Sequence, residues 1–416
     1  MANVLGYGAQ FNSNERALGI SKEEFAEVYE KAVLLSADIL ANQLGVYSYR
    51  KVGKNNVFSH LGMEVPRFPF QGRIGNQWLP KGHIDQIRSE AELVDIELNM
   101  TQYPDSFFHG AAENFFEYAL TPNQEYDMNV LVEPILNMVM KAKRDGLTDL
   151  SMFLNHPDVP AIATETYTDS AKTVANATVV AAQPAGMSME KWLAFHDQMR
   201  IKYDANNFGR TGWVSKLDLL AGGTNPNGYS THFKQIVDAD YSNGKMVGSA
   251  LDLFGDMVDS APIALRELVY ATNPADRPVI MASREVFDKF ISELQSLGTD
   301  IEYLDFIIDG ERRAVNYQVA NWRGVAVMAC PEFEKFDLHT GVKRLRAVLT
   351  ARGNVSILSK VEPISNPVLQ GEQGLVVQQS PLLRDKGRID MMSYTSVGAG
   401  ICDYDLIVYA RSNPNL

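Results

Sequence analysis

Cysteine is nearly absent: the 416 residues hold two, Cys330 and Cys402, far apart and outside any metal-ligand spacing. That excludes a disulfide framework and predicts two buried free thiols in a reducing compartment. Long apolar runs are missing as well. The longest, Val130 to Met140, is broken by Glu133 and Pro134, and no apolar segment opens the chain. Neither secretion nor a membrane span is expected. Basic charge is in deficit, 38 Lys and Arg against 51 Asp and Glu, for a formal net charge of -13. Each phosphate contact needs a basic partner, so sequence-specific gripping of a nucleic-acid backbone is not expected. The small clusters Lys141 to Arg144 and Lys343 to Arg346 read as helix ends or exposed faces.

Signatures of chemistry are missing too. No Gly-Lys-Ser or Gly-Lys-Thr follows a strand, so there is no phosphate-cradling loop. Gly222-Gly223 lacks a strand–helix setting and reads as a turn. The seven histidines, His60, His83, His109, His156, His196, His232 and His339, make no i, i+4 pair and flank no catalytic Glu, as a zinc protease requires. His196-Asp197 on a helix is predicted to be surface. Asp403 and Asp405, on one side of the last strand, read as a solvated face rather than an acid–base couple. There is no Gly-x-Ser-x-Gly elbow. We assign no catalytic, cofactor-binding or metal-ligating residue, expect no cofactor, and do not expect an enzyme.

What the chain does have is the balance of a folded protein, 45% hydrophobic and 21% charged. Residues 1–50 divide into an Asn- and Gly-rich arm, Met1 to Gly19, and a helix. The arm's anchors, Val4, Leu5, Phe11 and Leu18, are too few for a core. The helix opens on the capping box Ser21 to Glu24 and closes at Gly45. Residues 51–104 alternate Gly and Pro around Phe68, Phe70 and Trp78, as in a two-stranded excursion with a glycine-rich tip. Such a hairpin buries too little alone and is expected to lie across a neighbour. Residues 105–247 hold helical spacings at Phe108 to Ala119 and at Met128 to Lys143, the second disturbed by Pro134. They also hold an insertion in which 164–186 read as strands and loops, and Ser188 starts a helix through Trp192, Phe195 and Met199. Residues 248–380 open with a helix pair split by Pro262, and 381–416 supply the closing strands.

The most legible stretch is Arg277 to Ser356. Pro278 to Met281 form a short apolar strand, and Ser283 is placed as an N-cap. Val286, Phe290, Leu294 and Leu297 make one helical stripe, closed by Gly298. A turn at Asp309-Gly310 follows. Val325, Val327 and Ala329 then alternate as in a half-buried strand, stopped at Cys330-Pro331.

This stretch, through "RPVIMASREVFDKFISEL", "NWRGVAVMACPEFEKFD" and "RAVLTARGNVSIL", resembles the axial domain of tailed-phage major capsid proteins of the Hong Kong 97-type fold. The resemblance implies an α+β fold with N-terminal arm, extended β-hairpin loop, peripheral domain with a long spine helix, and axial domain. An acidic loop follows the strand that ends at Pro331, and the C-terminal strands return to the peripheral domain. It further implies self-assembly into pentamers and hexamers of an icosahedral shell around packaged double-stranded DNA, with a portal protein and optional decoration or cement protein. Some members of the family carry a cleaved N-terminal scaffolding segment; here the arm starts at Ala2, so a separate scaffolding protein, or none, is expected. Lys51, Lys54, Asn55 and Asn56 lie near the loop, but nothing marks a catalytic Glu beside them, and the family's Lys–Asn cross-link is not carried over. The expected place is the virion, after assembly in the host cytoplasm. Two alternatives stand beside this reading. One is an encapsulin-like nanocompartment shell. The other is a cytosolic enzyme with Trp192, His196 and Gly222-Gly223 lining a site in 147–247.

Overall fold

The computed structural model describes residues 44–52, 57–64, 85–102, 146–161, 177–200, 208–224, 228–229, 231–237, 240–242, 245–298, 305–308, 311–314, 319–360, 375–379 and 389–414. Outside them lie the arm, the Ser21 capping box, the tip of the extended loop, both helical spacings between Phe108 and Lys143, and Lys54 to Asn56. The contact pattern divides the chain into two units, one of residues 1–38, 94–148 and 359–397, the other of residues 39–93, 149–358 and 398–416.

In chain order the strands are β1 (Tyr47–Val52), β2 (Val57–Glu64), β3 (Asp85–Glu92), β4 (Val94–Gln102), β5 (Phe233–Ile236), β6 (Tyr241–Ser242), β7 (Lys245–Met246), β8 (Val279–Ala282), β9 (Asp305–Ile308), β10 (Glu311–Ala314), β11 (Val319–Trp322), β12 (Val325–Ala329), β13 (Arg346–Thr350), β14 (Val355–Lys360), β15 (Leu375–Gln379), β16 (Ile389–Ile401) and β17 (Ile407–Ser412). The helices are α1 (Ala177–Ala181), α2 (Met189–Met199), α3 (Trp213–Ala221), α4 (Ala250–Asp259), α5 (Ile263–Val269), α6 (Arg284–Ser296) and α7 (Pro331–Thr340). The fold is α+β, as expected.

In the first unit β16 is flanked antiparallel by β4 along residues 389–397 and by β15 along residues 389–393. The second unit is organised on a six-stranded sheet in the order β11-β12-β8-β13-β17-β5. Its middle strands are buried on both faces, so α-helices cover both. Val325 to Met328 are all buried, where the alternation had predicted a half-buried strand: β12 lies between β11 and β8, inside the sheet. The β11–β12 hairpin turns at Arg323 (φ 51°) and Gly324 (φ 84°), the two positive φ values of a two-residue hairpin loop. A Cβ on Gly324 would meet the Arg277 guanidinium at 1.8 Å, so a side chain there would displace Arg277 as well as strain the backbone.

One face of the sheet presents Ile280, Trp322, Val325, Val327, Leu349 and Val408 to Phe254 and Met257 of α4 and to Val286, Phe287 and Phe290 of α6. Burying each such side chain contributes about 1.5–3 kcal/mol. The split at Pro262 occurs as expected, with Pro262 at the N-cap of α5. Ser283 sits at the N-cap of α6, but its side chain makes no cap bond. Its Oγ accepts the backbone N–H of buried Arg346 (3.2 Å), and the Glu334 carboxylate of α7 accepts from Arg284 N in its place.

Two further expectations are corrected. "PEFEKFD" is not a loop but the body of α7, because Pro331 occupies the first helical turn, where no N–H is needed. Residues 177–181 are helical rather than strand or loop. The closing strand β17 lies between β13, which it meets from Arg346↔Arg411 to Thr350↔Ile407, and β5, which it meets from Tyr409↔Phe233 to Ser412↔Ile236. The extended excursion is present as an antiparallel pair, Val57↔Glu92 to Glu64↔Asp85, and Glu92 at its base accepts from Arg210 (2.7 Å).

Candidate functional site

The opposite face of the six-stranded sheet carries charge. Helix α3 is buried along almost its whole length, including Lys216 and Asp218. It starts where Gly212 lies so close to Met152 O that a Cβ would stand 2.4 Å away. Asp218 Oδ2 faces His156 Nε2 at 2.6 Å. Its Oδ1 accepts from Tyr409 OH (2.9 Å) and from Arg411 Nη1 (2.6 Å). Arg346 Nε lies 3.6 Å from Oδ2, and Arg346 Nη1 donates to Asp337 Oδ1 (2.6 Å). Arg344 grips both oxygens of Asp158 (2.8 and 2.7 Å). Three guanidinium groups thus balance three carboxylates beneath one sheet face.

Burial alone would push the Asp218 carboxyl up, but the His156 hydrogen bond and the two arginines outweigh it and hold the group well below the usual carboxylate range. Burial and the neighbouring Asp218 charge drive the Tyr409 hydroxyl well above its ordinary value. A carboxylate held by three hydrogen bonds and kept charged is a poor base, and a hydroxyl that stays protonated is a poor nucleophile. The arrangement holds elements together. Lys216 is separate: its Nζ donates to Ala399 O (2.8 Å) and lies 5.6 Å from the centre of the Phe208 ring. Burial, offset only in part by Glu92, lowers its pKa to about 7.

The residues singled out in the sequence do not converge. Trp192 is buried and donates from Nε1 to Val179 O (2.7 Å). His196, predicted to be surface, is fully buried under α2, its Nε2 on Pro160 O (2.8 Å). Its apolar neighbours Trp192 and Met199 point the same way at helical spacing. Gly222 and Gly223 close α3 as its C-cap and the residue after it, and a Cβ added at Gly222 would meet the Arg411 guanidinium at 3.9 Å. Asp403 and Asp405 are not on the last strand: Asp403 caps the turn Tyr404–Leu406, accepting from Asp405 N, while Asp405 pairs with His232 (3.0 Å). The depression beside them, lined by Leu217, His232, Tyr404 and Tyr409, has room on the scale of one water. Both cysteines are buried thiols outside any disulfide. Among the described residues no group of His, Cys, Asp and Glu has the geometry of a metal site, and no helix is long and apolar enough to cross a membrane.

The network itself was missed. Its signal was a charge inside an otherwise apolar element: Asp218 in "WVSKLDLLA" and Arg346 heading "RAVLT". Only the fold shows that the two belong together.

No protein-family model matches the chain, and no curated protein does. Solved structures do. One is a satellite phage P4 procapsid including size determination (Sid) protein, 12% identical over 92% of this chain and 98% of that one, TM-score 0.44. Another is the capsid of the cyanophage P-SCSP1u, 9% identical over 88% and 86%, TM-score 0.40. A third is the holo-SrpI encapsulin complex from Synechococcus elongatus PCC 7942, 12% identical over 87% and 83%, TM-score 0.38. The chain is similar to phage capsids and to an encapsulin.

Proposed function

We propose that the chain is a shell-forming subunit, the major capsid protein of a tailed double-stranded-DNA phage, whose copies gather as pentamers and hexamers into an icosahedral shell in the virion. The observation that carries the reading is the stretch 277–356. The residues on which the resemblance rests make a strand, an amphipathic helix, hairpins and two further strands. β8, β12 and β13, which they supply, are adjacent in one sheet. The antiparallel pair β2–β3 is the second support, since an isolated two-stranded ribbon gains its stability from a surface beyond itself.

Exposed apolar side chains supply contact surface: Tyr270 is 75% exposed, Leu338 74%, Leu297 67% and Ile263 64%. Many weak contacts repeated over a closed lattice hold a shell without covalent chemistry. Portal, scaffolding and decoration proteins are the partners this role entails, with DNA enclosed rather than read. The enzyme alternative loses its ground where Trp192 and His196 are spent on backbone carbonyls. Size-exclusion chromatography with negative-stain microscopy tests the proposal. Closed particles of megadalton mass are expected, and a small soluble oligomer at all concentrations would overturn it. Nuclease-protected DNA inside particles from infected cells separates a capsid from a protein-filled nanocompartment.

A further inference from the structure

The turn 156–160 is gripped from α2 by two side chains one helical turn apart. His196 Nε2 meets Pro160 O (2.8 Å). Arg200 donates from Nε to Val159 O (2.9 Å) and from Nη2 to His156 O (3.1 Å). A carbonyl only accepts, so His196 Nε2 carries the proton, and in the neutral ring Nδ1 holds a lone pair. That Nδ1 is buried with no hydrogen-bond partner among the described residues, and the same is true of Arg200 Nη1. A second proton on His196 would therefore sit on a nitrogen with no acceptor among the described residues, beside a guanidinium of like charge. The groups that face the ring are Arg200 and Asp197 of its own helix, the Pro160 carbonyl of the turn, and the Trp192 ring at 6.2 Å. Asp197 favours the charged form. Burial and Arg200 oppose it.

We propose that the turn 156–160 is an acid-released latch, closed while His196 is neutral and opened when its buried Nδ1 takes a proton. Burial, ahead of the opposing Pro160 bond and Asp197 charge, lowers the His196 pKa below its ordinary 6.5. An unfolded or locally opened chain binds the proton near 6.5, and the closed turn binds it only at lower pH. Between those two values the open form gains protons that the closed form lacks, so the latch weakens as pH falls. The inference concerns the subunit itself and stands apart from the proposed shell.

Amide exchange in the full-length protein tests it. Protection at Val159, whose N–H bonds His156 O (3.0 Å), is followed from pH 7.5 downward and corrected for intrinsic exchange. One proton taken on opening predicts a fall of about tenfold per pH unit below about 6.5. His196→Gln keeps a donor for Pro160 O and cannot protonate, so its profile is expected to be flat. An equal slope in wild type and variant overturns the proposal, as does flat protection in wild type. If the variant does not fold, the wild-type imidazole resonance decides. It is expected to stay neutral until protection is lost, and ordinary titration near 6.5 with the turn still protected overturns the latch.

Discussion

The two faces of the six-stranded sheet hold their helices by opposite means. Toward α4 and α6 the buried contact is apolar, with Phe254 and Phe290 at 5.3 Å and Phe254 and Trp322 at 5.8 Å between ring centres. The ion pair from the sheet to α4, Lys234 with Asp256, is half-exposed at the edge strand. Toward α3 and α7 it is ionic, with Asp218, Asp337, Arg346 and Arg411 meeting under β13 and β17. Strand alternation makes this possible: Ala347 and Leu349 point to one side, and Arg346 and Tyr409 to the other. Apolar packing is non-directional and degrades by degrees as methyl groups are removed. A buried ion network has no such gradation, because removal of one charge leaves its partners desolvated and unpaired. The first face is built to tolerate change, the second to fix one arrangement.

Four perturbations break or sharpen that contrast. Asp218→Ala strips the acceptor from His156, Tyr409 and Arg411 at once and leaves Arg346 undercompensated. A loss of about 3–5 kcal/mol is expected by denaturant unfolding, at the upper end; a loss under 1 kcal/mol would show that the network is not a structural lock. Phe290→Ala on the apolar face is expected to cost about 3 kcal/mol, while Phe290→Leu costs under about 1.5 kcal/mol. Equal costs for the two would remove the graded behaviour claimed for that face.

Lys216 gives a pH signature. Its folded pKa of about 7 lies below the ordinary 10.5, so between those values the unfolded chain holds a proton that the folded one has released. Stability is then expected to rise with pH across that window. Lys216→Met should flatten the rise, and an unchanged slope in the variant would assign it to another group. The smallest effect is Ser283→Ala, about 1 kcal/mol, from the lost acceptor for Arg346 N rather than from a lost cap. Increased fraying of the first turn of α6 in exchange experiments, with Arg346 N still protected, would restore the capping role.

The sequence by itself determined the local elements wherever one short-range rule governs them. Helix α6 follows from its stripe and Gly298, the α4–α5 break from Pro262, and the start of α2 from Ser188, whose hydroxyl accepts from Lys191 N. Each rests on groups within a few residues of one another, which is what periodicity and capping report. Only the tertiary structure decided how groups far apart in the chain are paired. Ser283 looked like a cap, but Arg346, 63 residues on, takes its hydroxyl. His196 looked like a surface residue, but a carbonyl 36 residues back lies within hydrogen-bond reach of its ring. Asp218 and Tyr409 are 191 residues apart and share one hydrogen bond. A buried polar atom must be satisfied by whatever donor or acceptor the fold brings to it. That partner is set by strand order and layer packing, which no local pattern of residues encodes.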